Sequence, residues 1–470
     1  MVTALLVTTA TAAFVAVLPW WLPGRIVALR VRVFARVNGG TAISVPGDLV
    51  GVDHFMELYS HPAAGGRSRG AALSDLFWYW LAPGPEVHQE HLEAGRRYDA
   101  VARATRGFLA VPRADAEEMI RRCVARELPV VAAGTTRVRL RDLMMPVWAA
   151  FYYELVFGRP CPPEARDLIV GNADDVVTSL KCCGLRHMDR RLRLTRYLAE
   201  RLDEVRCPLP DGLSRDERAF YLQGTFFNTA VVQTSEAMAH LLMVFARDQD
   251  VQAKVLSAQD TGGDGEDGHY LDHVMAETFR LYPLFGIAHR ITTGDIEVGD
   301  GDDATLLPAG SVVCFNYPEF HRAGYAEPGR FDPDRWADRA AARNACHIPF
   351  GVAANRPCPA WRLAPIIMRG AAREVLRRHA LTSSASHTRS LPNRGPCLLT
   401  PRALAGRPGR ARLAAMRLQD RWEDVWRSLV QLVLGTYMVW DARRARLCER
   451  HFSGTEASRA LTRPGRGHRQ

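Results

Sequence analysis

A mainly α-helical, α+β fold is predicted for this chain, and two patterns in the sequence predict it. From about Arg96 to Val251, apolar residues recur at three- and four-residue spacing, as in AEEMIRRCVA and SEAMAHLLMVFA, which is typical of amphipathic helices. Residues 285–315 change to short runs such as DIEV and SVVCFN between Gly, Asp and Pro turns, which predict a small β-sheet region. A closing helix is predicted from Trp361 to Arg378.

Two further segments show neither helical nor strand periodicity. Residues 37–85 mix Gly, Pro and short apolar runs, and we interpret them as loops with a few strands. Residues 257–270 are rich in Gly and Asp but do not match the spacing of a calcium-binding loop. A solvated loop is therefore predicted there.

The N-terminal segment, residues 1–24, contains no charged side chain and is followed by Arg25, Arg30, Arg32 and Arg36. About 20 apolar residues are needed to span a bilayer, so this apolar helix is predicted to be a membrane anchor. The arginines after it predict that the catalytic body lies on the cytoplasmic side of the membrane. The alternative is a buried or surface-lying helix of a cytoplasmic protein.

The net charge of +10 comes mostly from one end of the chain. Residues 401–470 contain 15 Arg and 6 acidic residues, so the rest of the chain is nearly neutral. This distribution argues against nucleic-acid binding and fits an anionic membrane surface or an acidic partner better. The ten cysteines show no regular spacing and are predicted to be free thiols.

Residues 401–470 are predicted to be a basic C-terminal extension with an extra amphipathic helix. Large apolar residues recur in it at helical spacing, namely Trp422, Trp426, Leu429, Val433 and Trp440. The uncharged stretch from 428 to 440 is too short to span a bilayer but suits a helix that lies in the membrane interface. Packing of this helix on the body of the protein is the alternative, and the sequence does not decide between them.

Chemistry is indicated by the segment PFGVAANRPCPAW, which holds Cys358 just before the predicted closing helix. The positive end of a helix dipole favours the thiolate form of a cysteine. The small residues of the segment allow a flat macrocycle to approach the backbone closely. Arg356 is placed to neutralise a carboxylate of such a cofactor. The alternative is an ordinary buried cysteine in a loop.

Several motifs together resemble the cytochrome P-450 family in their order and approximate spacing. They are Glu277 with Arg280 in ETFRLYP, Arg290 thirteen residues after the glutamate, Arg335 in FDPDRW, and the Cys358 segment. One such motif is weak, because Glu/Arg pairs at this spacing are common on helices. Their occurrence together in register is specific, and the resemblance extends over roughly residues 40–400.

The resemblance implies a cytochrome P-450-like fold and a haem-thiolate catalytic domain, which we place at residues 25–400. The cofactor implied is haem b (iron protoporphyrin), bound through the thiolate of Cys358. Three residues are implied at the cofactor, with the two arginines at its propionates: Arg290, Arg356 and Phe350. A buried salt-bridge triad is implied that holds the chain beneath the haem: Glu277, Arg280 and Arg335.

The chain departs from the family pattern around the cysteine. Phe350 lies eight residues before Cys358, one more than is usual, and Ala354 and Ala360 replace the usual glycines. The basic residue of an early helix that normally supports a propionate is also not identifiable. Four candidates stay open: His88, His91, Arg96 and Arg97.

The central helix departs further, because family members usually carry an acid followed by a threonine that relay protons to bound dioxygen. Counting back from ARDQDVQAKV places Val232 and Gln233 at these positions, and a shift of one residue places Gln233 and Thr234 there. We prefer the first count, because an inserted residue would rotate the helix by about 100°. Gln233 and Thr234 are the candidate catalytic residues, and an amide cannot cycle protons as an acid does.

The resemblance implies a monooxygenase that oxidises a lipophilic small molecule with dioxygen. No flavin or iron–sulfur motif is present, so the expected electron donors are external, such as ferredoxin and ferredoxin reductase. One alternative is a haem-thiolate peroxygenase or isomerase with an atypical, Gln-containing distal helix. Another is a haem-binding, membrane-associated partner protein without turnover.

Overall fold

The computed structural model describes residues 2–37, 42–128, 134–260, 270–284, 286–299, 304–338, 346–388, 395–406 and 409–462. Helices dominate, and in chain order they are α1 (Val2–Val37), α2 (Phe55–Ser60), α3 (Ala72–Leu81), α4 (Arg96–Leu109), α5 (Arg113–Glu127), α6 (Leu140–Phe157), α7 (Pro163–Leu180), α8 (Met188–Glu200), α9 (Arg215–Leu222), α10 (Val231–Arg247), α11 (Gln249–Asp260), α12 (Tyr270–Leu281), α13 (Tyr317–Phe320), α14 (Leu363–Arg378), α15 (Arg410–Ala445) and α16 (Leu447–Thr462).

Short strands form three small sheets. The strands are β1 (Ile43–Val45), β2 (Thr136–Arg139), β3 (Ile287–Ile291), β4 (Ile296–Val298), β5 (Thr305–Leu307), β6 (Val312–Asn316), β7 (His379–Thr382) and β8 (Pro396–Pro401). Their orders are β1-β6-β3, β2-β8-β7 and β4-β5. In the first sheet β1 runs parallel to β6 and β3 runs antiparallel to it. This pairing fixes Arg290 opposite Val313, on the strand that follows the Glu277 helix.

A central helix, defined here as Arg215–Arg247, runs through the core. It begins with a capping box, in which Ser214 and Glu217 satisfy each other's backbone N–H groups. A π-helical stretch, Gln223–Ala230, joins α9 to α10. The helix is buried on nearly all sides because α6, α7, α12 and α14 pack around it. Such helices are buried in the cores of large proteins.

The predicted fold class is confirmed, since helices dominate the described residues and the sheets are small. The strands expected between residues 285 and 315 form, and the closing helix begins at Leu363, two residues later than predicted. All ten cysteines are free thiols. Of the predicted solvated loop, residues 261–269 lie outside the described residues, while 257–260 belong to α11.

The interpretation of residues 37–85 as loops with a few strands is confirmed for β1 and the irregular segments around it, but it missed α2 and α3. In α3 the sequence ALSDLFWYWL places Trp78, Tyr79 and Trp80 in succession, and all three are buried. A helix that is covered on several sides has no polar stripe, so helical periodicity does not show in its sequence.

The N-terminal helix and the C-terminal extension pack against each other. The α1 helix continues to Val37, past residue 24, and lies along α15. Arg421 lies 4.7 Å from the ring centre of Trp20, and Arg30 donates a 2.5 Å hydrogen bond to Gln431. Since both contacts advance by ten residues, the two helices run in the same direction.

One face of α15 packs on the body of the protein. Met438, Val439 and Ala442 contact the buried side of α3, and Tyr79 donates a 2.7 Å hydrogen bond to Asp441. The opposite face is open, and Trp426 and Val433 keep 68% and 66% of their surface exposed. The extension therefore packs on the body, as one of the two alternatives states, and its outer face leaves large apolar side chains exposed.

Candidate functional site

The Cys358 loop lies just before α14 and is closed by backbone hydrogen bonds. The Cys358 N–H donates to the carbonyl of Phe350 at 2.8 Å, and the Trp361 N–H donates to the carbonyl of Cys358 at 3.1 Å. Burial raises the pKa of the Cys358 thiol, although a hydrogen bond from the backbone N–H of Ala360 acts in the opposite direction. Without a cation at the sulfur, the protonated thiol is therefore the stable form.

The cysteine loop contains a short 3₁₀ turn, Ala353–Asn355. The Asn355 side chain donates to the carbonyl of Tyr59 and accepts a 2.5 Å hydrogen bond from Arg67. These contacts fasten the loop to the N-terminal part of the fold. Gly351 has a φ of +71°, and a Cβ atom there would lie 3.2 Å from the hydroxyl oxygen of Tyr59. Glycine is therefore favoured at this position.

The structure brings Glu277, Arg280 and Arg335 together. Arg280 donates two hydrogen bonds to the Glu277 carboxylate, at 2.7 and 2.8 Å, and Arg335 Nε donates one at 3.2 Å. Trp336 Nε1 and the backbone N–H of Asp332 donate to the same carboxylate at 3.0 Å. The Glu277 and Arg280 side chains are fully buried. This cluster joins α12 to the segment that leads into the cysteine loop.

Phe350 continues this connection. Its ring is half-buried and meets the ring of Phe279 of α12 edge to face, with centroids 6.0 Å apart. Helix α12, which carries Glu277 and Arg280, therefore contacts Phe350 directly. The carbonyl of Phe350 in turn accepts the hydrogen bond from the Cys358 N–H.

The two arginines expected at propionates lie near Glu90, a residue that the sequence did not single out. Arg290 Nη1 is 3.0 Å from Glu90 Oε1, and Arg67 Nη1 is 3.1 Å from the same oxygen. Arg356 donates to the carbonyls of Leu92 and Gln89 at 2.6 and 3.2 Å. Glu90 is close enough to the cysteine for its charge to contribute to the raised pKa of Cys358. The charged groups and the sulfur thus line one region.

Of the four open candidates on the early helix, two histidines belong to this region. Burial lowers the pKa of His88 to about 4 and that of His91 to about 3, so both are neutral at pH 7. Arg97 is paired with Glu217 at 2.5 Å, and Arg96 is exposed. The fully buried cation of this region is instead Arg67, which no motif predicted.

Comparison with known proteins gives the same assignment. A family model described as "Cytochrome P450" matches residues 210–404. Cytochrome P-450 135B1 of Mycobacterium tuberculosis is 32% identical over 204 residues, 41% of this chain and 42% of that protein. Pentalenene oxygenase of Streptomyces avermitilis is 28% identical over 164 residues, 30% of this chain and 35% of that protein. The matches thus span less than half the length of these relatives.

Solved structures extend the likeness beyond the region that matches in sequence. A zebrafish cytochrome P-450 solved with progesterone superposes with a TM-score of 0.58 at 15% identity, covering 75% of this chain and 90% of that one. A variant of cytochrome P-450 OleT in complex with arachidonic acid gives 0.55 at 15% identity, covering 71% and 83%.

The match of residues 210–404 and the superposition on solved structures make this chain similar to the cytochrome P-450 family. The predicted fold, with small sheets around a helical core, is confirmed as cytochrome P-450-like. This likeness implies a haem bound through a cysteine thiolate, and the next question is whether the residues of this chain fit that group.

The residues around Cys358 fit a haem by three observations. The free thiol of Cys358 lies five residues before the first residue of α14, Leu363. Arg67 and Arg290 are buried, and the Nε atoms of both lack a hydrogen-bond partner among the described residues. Glu90 lies deep in the molecule, yet 39% of its side-chain surface is exposed, so that surface faces an internal space. Sulfur, spare cationic donors and space are what a dianionic macrocycle needs.

The central helix offers few proton-transfer groups near Gln233. Gln233 is half-buried, while Val232 and Thr234 are buried. The Thr234 hydroxyl donates to the carbonyl of Ala230 at 2.6 Å and also hydrogen-bonds to Tyr152 of α6. Tyr152 is itself near Cys358, and burial raises the pKa of its phenol. Thr234 therefore lies on the side of the helix that faces α6.

Glu236 is the carboxylate nearest to Gln233 along the chain, but it forms ion pairs with two other residues. It pairs with Arg141 at 2.9 Å and with Lys181 at 2.6 Å. Burial would raise the pKa of Glu236, but these two cations outweigh burial and lower it. Glu236 therefore does not replace the missing acid in its present position.

We expect Glu277→Gln to destabilise the protein strongly, because it leaves Arg280 and Arg335 without their anion in the interior. Removing one partner of a buried ion pair costs about 3–5 kcal/mol of unfolding free energy. Urea unfolding followed by circular dichroism measures this loss. Glu118→Gln is the matched control, since Glu118 pairs with Arg121 at the same three-residue spacing on an exposed surface. Equal stability of the two variants would contradict a structural role for the cluster.

Stability of the haem-free protein should fall as the pH drops from 7 to 5. Burial lowers the folded-state pKa of His88, His91 and His289 to about 4, 3 and 4, below an unfolded value of about 6.5. In this window the unfolded chain binds more protons, which costs roughly 2 kcal/mol of stability per histidine. Urea titrations at several pH values measure the slope, and His91→Gln should reduce it. A slope unchanged by this substitution would contradict the prediction.

Proposed function

We propose that this protein is a haem-thiolate monooxygenase that oxidises a lipophilic small molecule. The observation that carries the proposal is the position of the Cys358 thiol, in the loop just before α14 and in the same region as buried, incompletely paired arginines. The expected cofactor is haem b. When bound, it would supply the iron that binds and activates dioxygen.

The residues of this chain would hold and tune that group. Cys358 would bind the iron through its thiolate, and the Ala360 N–H would moderate electron donation from its sulfur. Arg290 and Arg67 would neutralise propionate charge with donors that are unused in the structure. The Glu277 cluster would fix the loop rather than take part in the reaction.

A lipophilic substrate is supported by the residues of the central helix and by the relatives. Phe226 and Phe227 are buried in the π-helical stretch that precedes the candidate distal residues. Apolar side chains of this kind favour apolar ligands. Two of the solved structures carry progesterone and arachidonic acid, and one curated relative is named pentalenene oxygenase.

Electrons would come from a separate protein, such as a ferredoxin with its reductase. Near the cysteine the surface presents Trp361, which is 48% exposed, and Arg362, whose guanidinium lies 4.7 Å from the ring centre of Trp361. An exposed cationic group close to the iron ligand suits an acidic redox protein.

A second function is favoured by the central helix. The Thr234 hydroxyl is donated to the backbone, and Glu236 is held by two cations. A site without an acid relay suits a peroxygenase or a redox-neutral isomerase, in which dioxygen is not reduced. Turnover that requires reduced ferredoxin and dioxygen supports the monooxygenase, whereas turnover with peroxide alone, or without any oxidant, supports the alternative.

We expect the reduced, carbon-monoxide-bound protein to show the red-shifted Soret band of thiolate ligation, and Cys358→Ser to lose it. Serine cannot supply the thiolate that causes the shift. The absorption spectrum of the reduced protein with carbon monoxide measures this. Cys314→Ser, which changes another half-buried free thiol, is the matched control and should keep the band. A red-shifted band in Cys358→Ser would contradict the assignment.

Membrane association through the N-terminal helix is part of the proposal, with residues 1–24 as the anchor and the catalytic body on the cytoplasmic side. In the part of the chain that the structure describes, two helices are long and apolar enough to cross a membrane, Leu6–Val33 and Arg215–Arg247. The second is 83% buried and is the core helix, whereas the first is only 11% buried. Phe14 keeps 56% of its surface exposed, which is costly in water. The open face of α15 would add contacts with an anionic membrane surface.

Introducing two lysines at Val7 and Phe14 of the full-length chain should move the protein from the membrane fraction to the soluble fraction. A lysine near the middle of a spanning helix costs about 3 kcal/mol in insertion. Sedimentation after carbonate washing measures the partition. Trp426→Lys, on the exposed face of α15, is the control and should stay in the membrane fraction. Release by Trp426→Lys alone would show instead that the extension is the anchor.

A further inference from the structure

A carboxylate of the protein itself contacts Arg67 and Arg290, the two arginines proposed above to neutralise a haem propionate. Glu90 Oε1 lies 3.1 Å from Arg67 Nη1 and 3.0 Å from Arg290 Nη1. The two arginine side chains are only 1% and 5% exposed. Each retains an Nε donor without a partner in the described part of the chain. Arg67 and Arg290 thus share the Glu90 carboxylate, and the Nε–H group of each is available to a second anion.

The charge of Glu90 is fixed by this environment. Burial alone would raise the pKa of Glu90, but Arg290 and Arg67 outweigh it and lower the pKa to about 2. The carboxylate is therefore ionised wherever the protein is folded, and it neutralises cations that would otherwise be buried without a counter-ion. Unpaired buried charge is strongly destabilising, so Glu90 supports the fold in the absence of haem.

Among the described residues, Glu90 is the carboxylate that acts on Arg290. His88 and His91 are neutral at pH 7, since burial lowers the pKa of both. Glu93 is engaged with the backbone, where it accepts from the N–H groups of Ser68 and Arg69 at 2.9 and 3.0 Å. A haem propionate is a carboxylate with the same requirement for guanidinium donors as Glu90.

We propose that Glu90 is an internal placeholder for a haem propionate: it holds Arg67 and Arg290 in the haem-free protein and gives up Arg290 when haem binds. This inference rests on the haem binding proposed above. Because the two carboxylates compete for one guanidinium, Glu90 stabilises the empty fold and weakens haem binding. The residue thus tunes the affinity for the cofactor and takes no part in the oxidation.

The test uses Glu90→Gln in the full-length chain, because glutamine keeps the shape of the side chain and removes the competing charge. We expect haem loss to be about tenfold slower than in the wild type, which corresponds to one charge-assisted hydrogen bond. Transfer of haem to apomyoglobin measures this rate without any assay of activity. Glu93→Gln is the matched control, since it removes the same charge three residues along the chain, and it should leave the rate unchanged.

A second arm uses the dimethyl ester of haem, whose propionates carry no charge. It should bind to the wild type and to Glu90→Gln with equal affinity, because Glu90 then has no competitor. If Glu90→Gln bound the ester more tightly than the wild type does, and by the same factor as for haem, the placeholder role would be overturned. Failure of the wild type to bind haem at all would contradict the proposed function instead.

A third measurement uses the wild-type protein, so it tests the placeholder role of Glu90 even if Glu90→Gln fails to fold. In a crystal structure of the haem-bound wild type, Glu90 should have moved beyond hydrogen-bond distance of Arg290, with a propionate in its place. A 3.0 Å contact retained between Glu90 and Arg290 beside a bound haem would refute the proposal while leaving haem binding intact.

Discussion

Buried guanidinium groups must have anions, and two glutamates provide them on the side of the molecule that holds Cys358. Glu277 neutralises Arg280 and Arg335, and Glu90 neutralises Arg67 and Arg290. The two glutamates differ in how much of their side-chain surface is buried. Glu277 is fully buried and accepts from five donor groups in total, whereas Glu90 keeps 39% of its side-chain surface exposed to an internal space.

This difference assigns different roles to the two clusters. A fully satisfied and enclosed network cannot exchange partners cheaply, so the Glu277 cluster serves as a fixed support for the cysteine loop. An anion beside open space, with unused donors on its partner arginines, can be exchanged for another carboxylate. The same requirement for paired charge therefore produces a fixed cluster around Glu277. It also produces a second cluster around Glu90, in which the anion can be exchanged.

The central helix limits which reactions are available. Its nearest carboxylate, Glu236, is paired with Arg141 and Lys181, and the Thr234 hydroxyl is shared between the backbone and Tyr152. A proton would have to reach the distal side through water or through Gln233, whose amide cannot act as an acid. The proposed oxidation is thus supported by the ligand and the fold more strongly than by the distal side chains.

Sequence alone determined the features that depend on short spacing or on residue chemistry. Glu277 and Arg280 lie three residues apart on a helix, so their pairing follows from helical geometry. Cys358 before a helix start, and the helical periodicity between residues 96 and 251, are likewise local properties. Because the other motifs stand in the family's order, the fold could be predicted from these few positions.

Tertiary structure alone decided what depends on residues that are distant in the chain. Arg67 meets Asn355 across 288 positions, and Tyr152 meets Thr234 from another helix, so no local pattern marks either contact. The same holds for α3, whose aromatic residues lack a polar stripe because the C-terminal extension covers them. Glu90 resembles any surface glutamate in the sequence, and its role appears only when the fold encloses it between two arginines. A side chain's environment, rather than its type, sets its charge and partners, and that environment is assembled from the whole chain.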